Sequence, residues 1–267
     1  VEGELMLKPK GVGIEKIPVG KLVEYGLKNR YMTEDDMYGG VPMLGGLLPD
    51  WAIREFVTID DFVDYHQCPR DVVSYGLTSA GYDIRVGGHF KIFTNANCET
   101  VSPNNIPEDA FLHKDLTGHT WASVPNEKKA VCAACGVRFK TNEARYKCAF
   151  PAPGTPDVIK IPPNSFALAE TVEQLYIPRN INCLCLGKST YARCGIIMNF
   201  TPFEPGWFGV VTVEITNSTP LPVAISAYQG IGQAQFQLMV APCQISYGEK
   251  KNAKYQGQTG LTLPSVS

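Results

Sequence analysis

Residues 187–209 read GKSTYARCGIIMNFTPFEPGWFG, and the chain continues as VVTVEITN to residue 217. Three local patterns follow one another here, and together they decide the fold. From 208 to 216 the sequence alternates with period two. Val211, Val213 and Ile215 share one face, and Phe208, Val210, Thr212 and Glu214 share the other, as in a strand buried on one side. Residues 189–194 are the one compact helical candidate, opened by the Ser189-Thr190 pair and closed by Gly195. Between helix and strand, Thr201-Pro202-Phe203-Glu204-Pro205-Gly206 spells a tight, stiff turn.

The same alternation recurs on either side. Ile181, Cys183 and Cys185 share a face, and over 231–240 Gln233, Gln235 and Gln237 oppose Ala234, Phe236, Leu238 and Val240. Pro178-Arg179-Asn180, the stretch 217–220 and Gln229-Gly230 punctuate these runs. With 20 prolines and 25 glycines and few long helical patterns, the expectation is a mainly β chain, a distorted β-sandwich or barrel with few short helices. Residues 1–48 carry Gly and Pro at short intervals and read as an N-terminal extension, with a short helix over about 21–28. Residues 49–267 form the core. A segment over about 112–156 breaks the strand rhythm and reads as an insertion into the β framework.

The bulk numbers narrow the function classes. A net charge of −2 argues against a protein that grips a nucleic-acid backbone. No apolar run is long enough to span a membrane, and the first residues, VEGELMLKPKG, lack the apolar core of a secretory signal. Nine cysteines, an odd count spread along the chain, suit reduced thiols in a cytoplasmic compartment better than a disulfide framework. Cys183, Cys185 and Cys194 are expected to behave as small buried hydrophobes.

The insertion has a metal-site pattern of its own. His119, Cys132, Cys135 and Cys148 combine a CxxC with two further soft ligands at knuckle-like spacing, which suits a tetrahedral structural Zn²⁺; His113 and Cys98 are alternative fourth ligands. A catalytic zinc of the H-x-E plus P-C-x-x-C type is excluded by its own motif. None of the four histidines begins H-x-E, and Val131 stands where the proline should precede Cys132.

Three blocks in order, GYDIRV (81–86), the 187–217 stretch and KYQGQTG (254–260), resemble the dCTP deaminases of the trimeric dUTPase superfamily. The resemblance runs from about Trp51 to the C-terminus, apart from the insertion. It implies a dUTPase-like fold and hydrolysis of dCTP to dUTP and ammonia, without catalytic zinc. A strand Glu is ordinarily a solvent-facing residue, but VTVEITN matches the strand on which the family carries its catalytic Glu. Glu214 is therefore the expected general base and acid, taking a proton from water and delivering it to the ring and the departing ammonia. The GKS block lies beside the phosphates in the family, so Lys188, Ser189 and Thr190 are expected substrate contacts. Ser189 would also hold the attacking water, and Arg193 would line the site. Thr201 and Glu204 lie in the turn that meets the sugar in the family; many members have a longer turn with Asp where this chain has Glu204. Tyr247, Lys254 and Gln258 match tail residues that close over the triphosphate. Asp83 and Arg85 read as structural ion-pair residues. The resemblance further implies Mg²⁺ arriving with the triphosphate and a homotrimer with sites between subunits. A dUTP pyrophosphatase, a bifunctional enzyme taking dCTP to dUMP, and a non-catalytic nucleotide-binding protein are the alternatives.

Overall fold

The computed structural model describes residues 19–29, 37–38, 41–42, 46–116, 121–123, 129–132, 138–140 and 158–265. In chain order the elements are α1 (Val19–Lys28), β1 (Met37–Tyr38), β2 (Val41–Pro42), β3 (Gly46–Leu47), α2 (Asp50–Phe56), β4 (Thr58–Ile59), β5 (Gly76–Thr78), β6 (Gly81–Phe93), β7 (Phe111–Asp115), β8 (Trp121–Ser123), β9 (Lys129–Cys132), β10 (Arg138–Lys140), β11 (Val158–Ile161), β12 (Ser165–Tyr176), β13 (Ile181–Gly187), α3 (Ser189–Ala192), β14 (Ile196–Asn199), β15 (Phe208–Asn217), β16 (Val223–Ser226) and β17 (Gly230–Leu238). The chain is mainly β with few short helices, and the strands read from alternation in the sequence are present.

One antiparallel sheet organises the molecule, in the order β13-β17-β6-β12-β15-β14, with β3 beside β17, β4 beside β12, and β5 and β7 beside β6. Two long strands bend it. The first half of β6 pairs with β17 and β5, and its second half with β12 and β7. β12 shifts register against β15 between Glu170 and Gln174, the kind of irregularity that increases local twist. The sheet curls until its end strands meet. Gly187 on β13 lies so close to β14 that a Cβ there would sit 2.8 Å from Met198 Cβ. Farther along, Cys183 and Phe203 exchange backbone hydrogen bonds of 3.2 and 2.9 Å. α3 is the short link between the two meeting strands.

Alternation sorts the side chains onto two faces. Phe90, Ile92, Ala167, Ala169, Val211, Val213, Ile215, Ile196 and Met198 point into the main core. The outer face has a second, smaller core in which Phe111 and Leu168 pack with Phe93, Phe166, Leu261 and Leu263. At the other end, α1 docks on α2, with Tyr25 stacked on Trp51 at 6.1 Å, so part of the N-terminal extension packs onto the body.

Among the described residues, one ion pair is buried on both sides. Arg85 Nε donates to Glu173 Oε1 (2.7 Å) and Arg85 N to Glu173 Oε2 (2.8 Å), with both side chains withdrawn from solvent. Burial opposes the Arg85 charge, but the attraction and hydrogen bonds of Glu173 outweigh it and raise the guanidinium pKa.

The expected insertion boundary near 112 falls inside β7, which pairs with β6 in the main sheet. Beyond it, β8, β9 and β10 form a separate three-stranded antiparallel sheet. These strands are too short to show a period-two pattern, which is why that segment read as lacking strands.

Candidate functional site

Glu214 sits on the outer face of β15. It is half-buried between Leu168 of β12 on one side and Asn199 of β14 on the other, each directly opposite it in register. Leu168 is itself buried. Asn199 Nδ2 donates to Glu214 Oε2 at 3.1 Å. Burial pushes the Glu214 carboxyl up from its ordinary value, and the Asn199 hydrogen bond partly offsets the rise. The result is a carboxylate with raised proton affinity at a strand position whose other face is core, a combination suited to proton transfer. Asn199 was not singled out from sequence. Its place opposite Glu214 depends on the register between β14 and β15, which the irregular loop 200–207 hides.

Lys188, Ser189, Thr190 and Arg193 cluster at α3, where the sheet ends meet. Ser189, Thr190 and Arg193 are exposed. The Ser-Thr pair does not cap the helix. Lys188 takes the N-cap position with no side-chain cap hydrogen bond, and both hydroxyl residues fall inside the first turn. Gly195, with φ +70°, ends the turn as expected. Four residues supply little helix dipole, so any anion held here would meet side chains and individual N–H groups, not an aligned macrodipole. The Lys188 ammonium donates to Asp83 Oδ2 and, at 3.1 Å, to Ser74 Oγ. Gln233 Nε2 reaches the other Asp83 oxygen at 3.1 Å. Asp83 and Arg85 thus both make ion pairs, one at the foot of α3 and one in the core.

The third group is the C-terminal tail, which lies back along β15 of its own chain. Gly257 N donates to Phe208 O (2.9 Å) and Val210 N to Gln258 O (2.8 Å). Gln258 Nε2 donates to Thr212 Oγ1 at 2.6 Å, and Thr262 Oγ1 to Gln258 Oε1 at 3.0 Å. Thr212 precedes Glu214 by one step on the same face, so the tail crosses the face that carries the carboxylate. Gly209 makes this approach possible. Its φ is +150°, and a Cβ would sit 2.9 Å from Gln258 O. Farther on, Leu261 N donates to Glu170 Oε2 at 3.1 Å, while the other Glu170 oxygen meets His89 Nδ1.

The remaining expected residues sit at the start of β15. Glu204 is paired with Lys250. The Tyr247 hydroxyl accepts from Tyr255 N at 3.3 Å, and Lys254 Nζ donates to Ser265 O at 2.9 Å. Thr201 is exposed in the turn. One chain therefore brings Gln258 beside the Glu214 face, holds Lys188 to Arg193 at the sheet ends, and keeps Glu204, Tyr247 and Lys254 together near the tail root.

His119, Cys135, Cys148 and the Cys132 side chain lie outside the described residues. Of the alternative ligands, His113 Nε2 stands 3.1 Å from Glu108 Oε1 and Cys98 packs on the outer core. Cys183 and Cys185 are buried, and desolvation raises both thiols well above the reactive range. Cys194 is exposed, against expectation, because it follows the last helical turn on the solvent side.

A family model described as dCTP deaminase-like matches residues 150–239. The dCTP deaminase of Chloroflexus aurantiacus is 44% identical over 208 residues, 78% of this chain and 89% of that protein. That of Wolbachia pipientis wMel is 42% identical over 224 residues, 82% of this chain and 98% of that protein. A solved 2'-deoxycytidine 5'-triphosphate deaminase from Agrobacterium tumefaciens aligns with 16% identity and a TM-score of 0.45, over 73% of this chain and 49% of that one.

Proposed function

This chain belongs to the dCTP deaminase family, and we propose that it hydrolyses dCTP to dUTP and ammonia with Glu214 as general base and acid. The observation that carries the reading is Glu214 itself: a half-buried carboxylate with raised proton affinity, on an outer face that the tail crosses. Attack of water at C4 of cytosine needs a group that takes a proton at one moment and returns it to ring nitrogen and leaving ammonia at the next. A single carboxyl with an elevated pKa does both.

The chain's other residues bind and orient. Ser189 positions the water, and Arg193 supports the site. Lys188 and Thr190 meet the phosphates, which requires Lys188 to exchange its Asp83 partner for phosphate oxygens. Thr201 and Glu204 face the sugar. Tyr247, Lys254 and Gln258 belong to the tail that closes over the triphosphate. Mg²⁺ bound to the triphosphate would supply charge neutralisation, held chiefly by phosphate oxygens; among the described residues no cluster of three or more His, Cys, Asp or Glu forms a protein cage. The chain assembles as a homotrimer in the cytoplasm, and a second copy brings its α3 residues to the Glu214 face. Exposed Leu186 and Ile197, flanking α3 on β13 and β14, support such an interface. In the insertion, Cys132, Cys135, Cys148 and His119 would hold a structural Zn²⁺.

The test is to incubate the full chain with cytosine and uracil nucleotides and Mg²⁺ and to measure ammonia and pyrophosphate separately. Ammonia from dCTP without pyrophosphate is expected. Pyrophosphate from dUTP would make it a pyrophosphatase, both products from dCTP a bifunctional enzyme, and binding without either a nucleotide sensor. Glu214→Gln should abolish ammonia release while dCTP still binds. A monomer at assay concentration would overturn the shared site.

A further inference from the structure

The immediate surroundings of Glu214 are unusual for a carboxylate. Its cross-strand neighbours are Leu168 and Asn199, and its neighbours along the same face of β15 are Thr212 and Thr216. None of these carries charge. Among the described residues no ion pair reaches Glu214. Leu168, itself only 6% exposed, keeps water from one flank. On the other flank, the side-chain partner is the Asn199 amide, donating to Oε2 at 3.1 Å.

Each alternative at that position would serve a base worse. A cation would hold the carboxylate ionised but make it reluctant to accept a proton. An apolar side chain would remove the Asn199 hydrogen bond that offsets burial and raise the carboxyl's proton affinity further. A second carboxylate would add like-charge repulsion. A neutral donor fixes the carboxylate's rotation through one oxygen and removes little basicity. The backbone makes the contact reproducible, because Asn199 closes the β14 ladder directly opposite Glu214. Asn199 also ends the short strand that leaves α3, so the group that holds the carboxylate is four residues beyond Gly195, on the strand that follows Ser189 and Arg193.

We propose that Asn199 is a positioning residue for the reaction: its side-chain amide holds the Glu214 carboxylate in the orientation and ionised form in which it takes a proton from water. This rests on the reading of Glu214 as the base. Asn199 acts through Glu214 and not on the substrate, so its removal moves turnover and pH dependence while leaving affinity in place.

The experiment uses the full-length chain with dCTP and Mg²⁺, measuring kcat and KM from about pH 5 to about pH 9. Asn199→Ala should lower kcat near neutral pH about tenfold with KM unchanged within about twofold, and move the acid limb of kcat up by about one unit. Asn199→Asp keeps the shape but adds a negative charge, and should move that limb further in the same direction. Val240→Ala, an exposed position beyond β17 and away from Glu214, should leave the limb where it is. The inference is overturned if the wild type releases ammonia and both Asn199 variants keep its acid limb and kcat. It is overturned equally if KM rises while kcat holds, or if thermal stability falls while the limb does not move. Failure of the underlying reading looks different: no ammonia from dCTP by the wild type, or undiminished release by Glu214→Gln. Either of those removes the base and its support together.

Discussion

Replacing Glu173 by Ala should be one of the most damaging single changes to this fold. The carboxylate accepts from Arg85 N and Nε at 2.8 and 2.7 Å and has no exposed side-chain surface, while the Arg85 side chain is 3% exposed. Glu173 also lies in the register shift of β12, where Thr171 Oγ1 donates to Glu173 O (2.8 Å) and accepts from Val211 N (3.0 Å). Two effects compete. Forming a buried pair costs most of what its attraction returns, so the pair itself adds little net stability. Removing one partner leaves the other buried and uncompensated, at about 3–5 kcal/mol. The second effect governs the single variant, because Arg85 cannot reach bulk water without unpacking β6; its remaining contacts are Asp61 O at 2.9 Å and the Tyr75 ring. For a domain of this size that loss lowers Tm by roughly 6–20 °C. Urea unfolding followed by fluorescence, for which the buried Trp207 is a suitable reporter, should show the midpoint shift. The double variant Arg85→Met with Glu173→Leu should recover most of it, because no charge is then stranded. A Glu173→Ala cost below about 1 kcal/mol, or a double variant as unstable as the sum of the singles, would refute the reasoning.

Other outcomes follow from the same structure. Gly209→Ala places a Cβ against the Gln258 backbone at φ +150°, so it should lift the tail and raise KM for dCTP about tenfold or more. Truncation after residue 252 should do at least as much, and an unchanged KM in both would remove the closing tail. Glu214→Gln should be slightly more stable than wild type above neutral pH. Burial raises the folded-state pKa of Glu214 above its unfolded value, so the ionised carboxylate opposes folding most at high pH, and the handicap fades as pH falls through the raised pKa to the ordinary Glu value. Differential scanning at about pH 8 and about pH 4 should show a gain of roughly 1–3 °C at the higher pH only. Metal analysis of the purified chain should find about one zinc per subunit, lost on changing Cys132 and Cys135 to Ser.

Much of this architecture is visible in the amino-acid order because period-two alternation is strong wherever one face is core. β13, β15 and β17 could be placed on that signal alone, and Glu214 was assigned to the correct face of its strand. What the order conceals is everything set by pairing between distant strands. The Asn199–Glu214 contact depends on where β14 meets β15 across the loop 200–207. The Lys188–Asp83 pair depends on β6 passing beneath α3. The Ser-Thr pair looked like a helix cap because both residues favour that role. The N-cap position instead falls one residue earlier, on a lysine already committed to Asp83. The tail was legible only through family resemblance. Its composition reads as a loose end, and its anchorage rests on Gly209, far from Gln258 along the chain, whose significance appears only once the two segments lie side by side.

The meeting of β13 and β14 has a mechanical meaning. A rolled sheet whose outermost strands touch has a seam. Here, among the described residues, those strands share no ladder; α3 links them at one end and the Cys183–Phe203 exchange ties the other. Such a line is where thermal breathing breaks the fewest backbone bonds. A triphosphate gripped by Lys188 and its neighbours would act as a clasp across it. Amide exchange in β13 and β14 should slow when nucleotide binds, well before the rest of the roll responds.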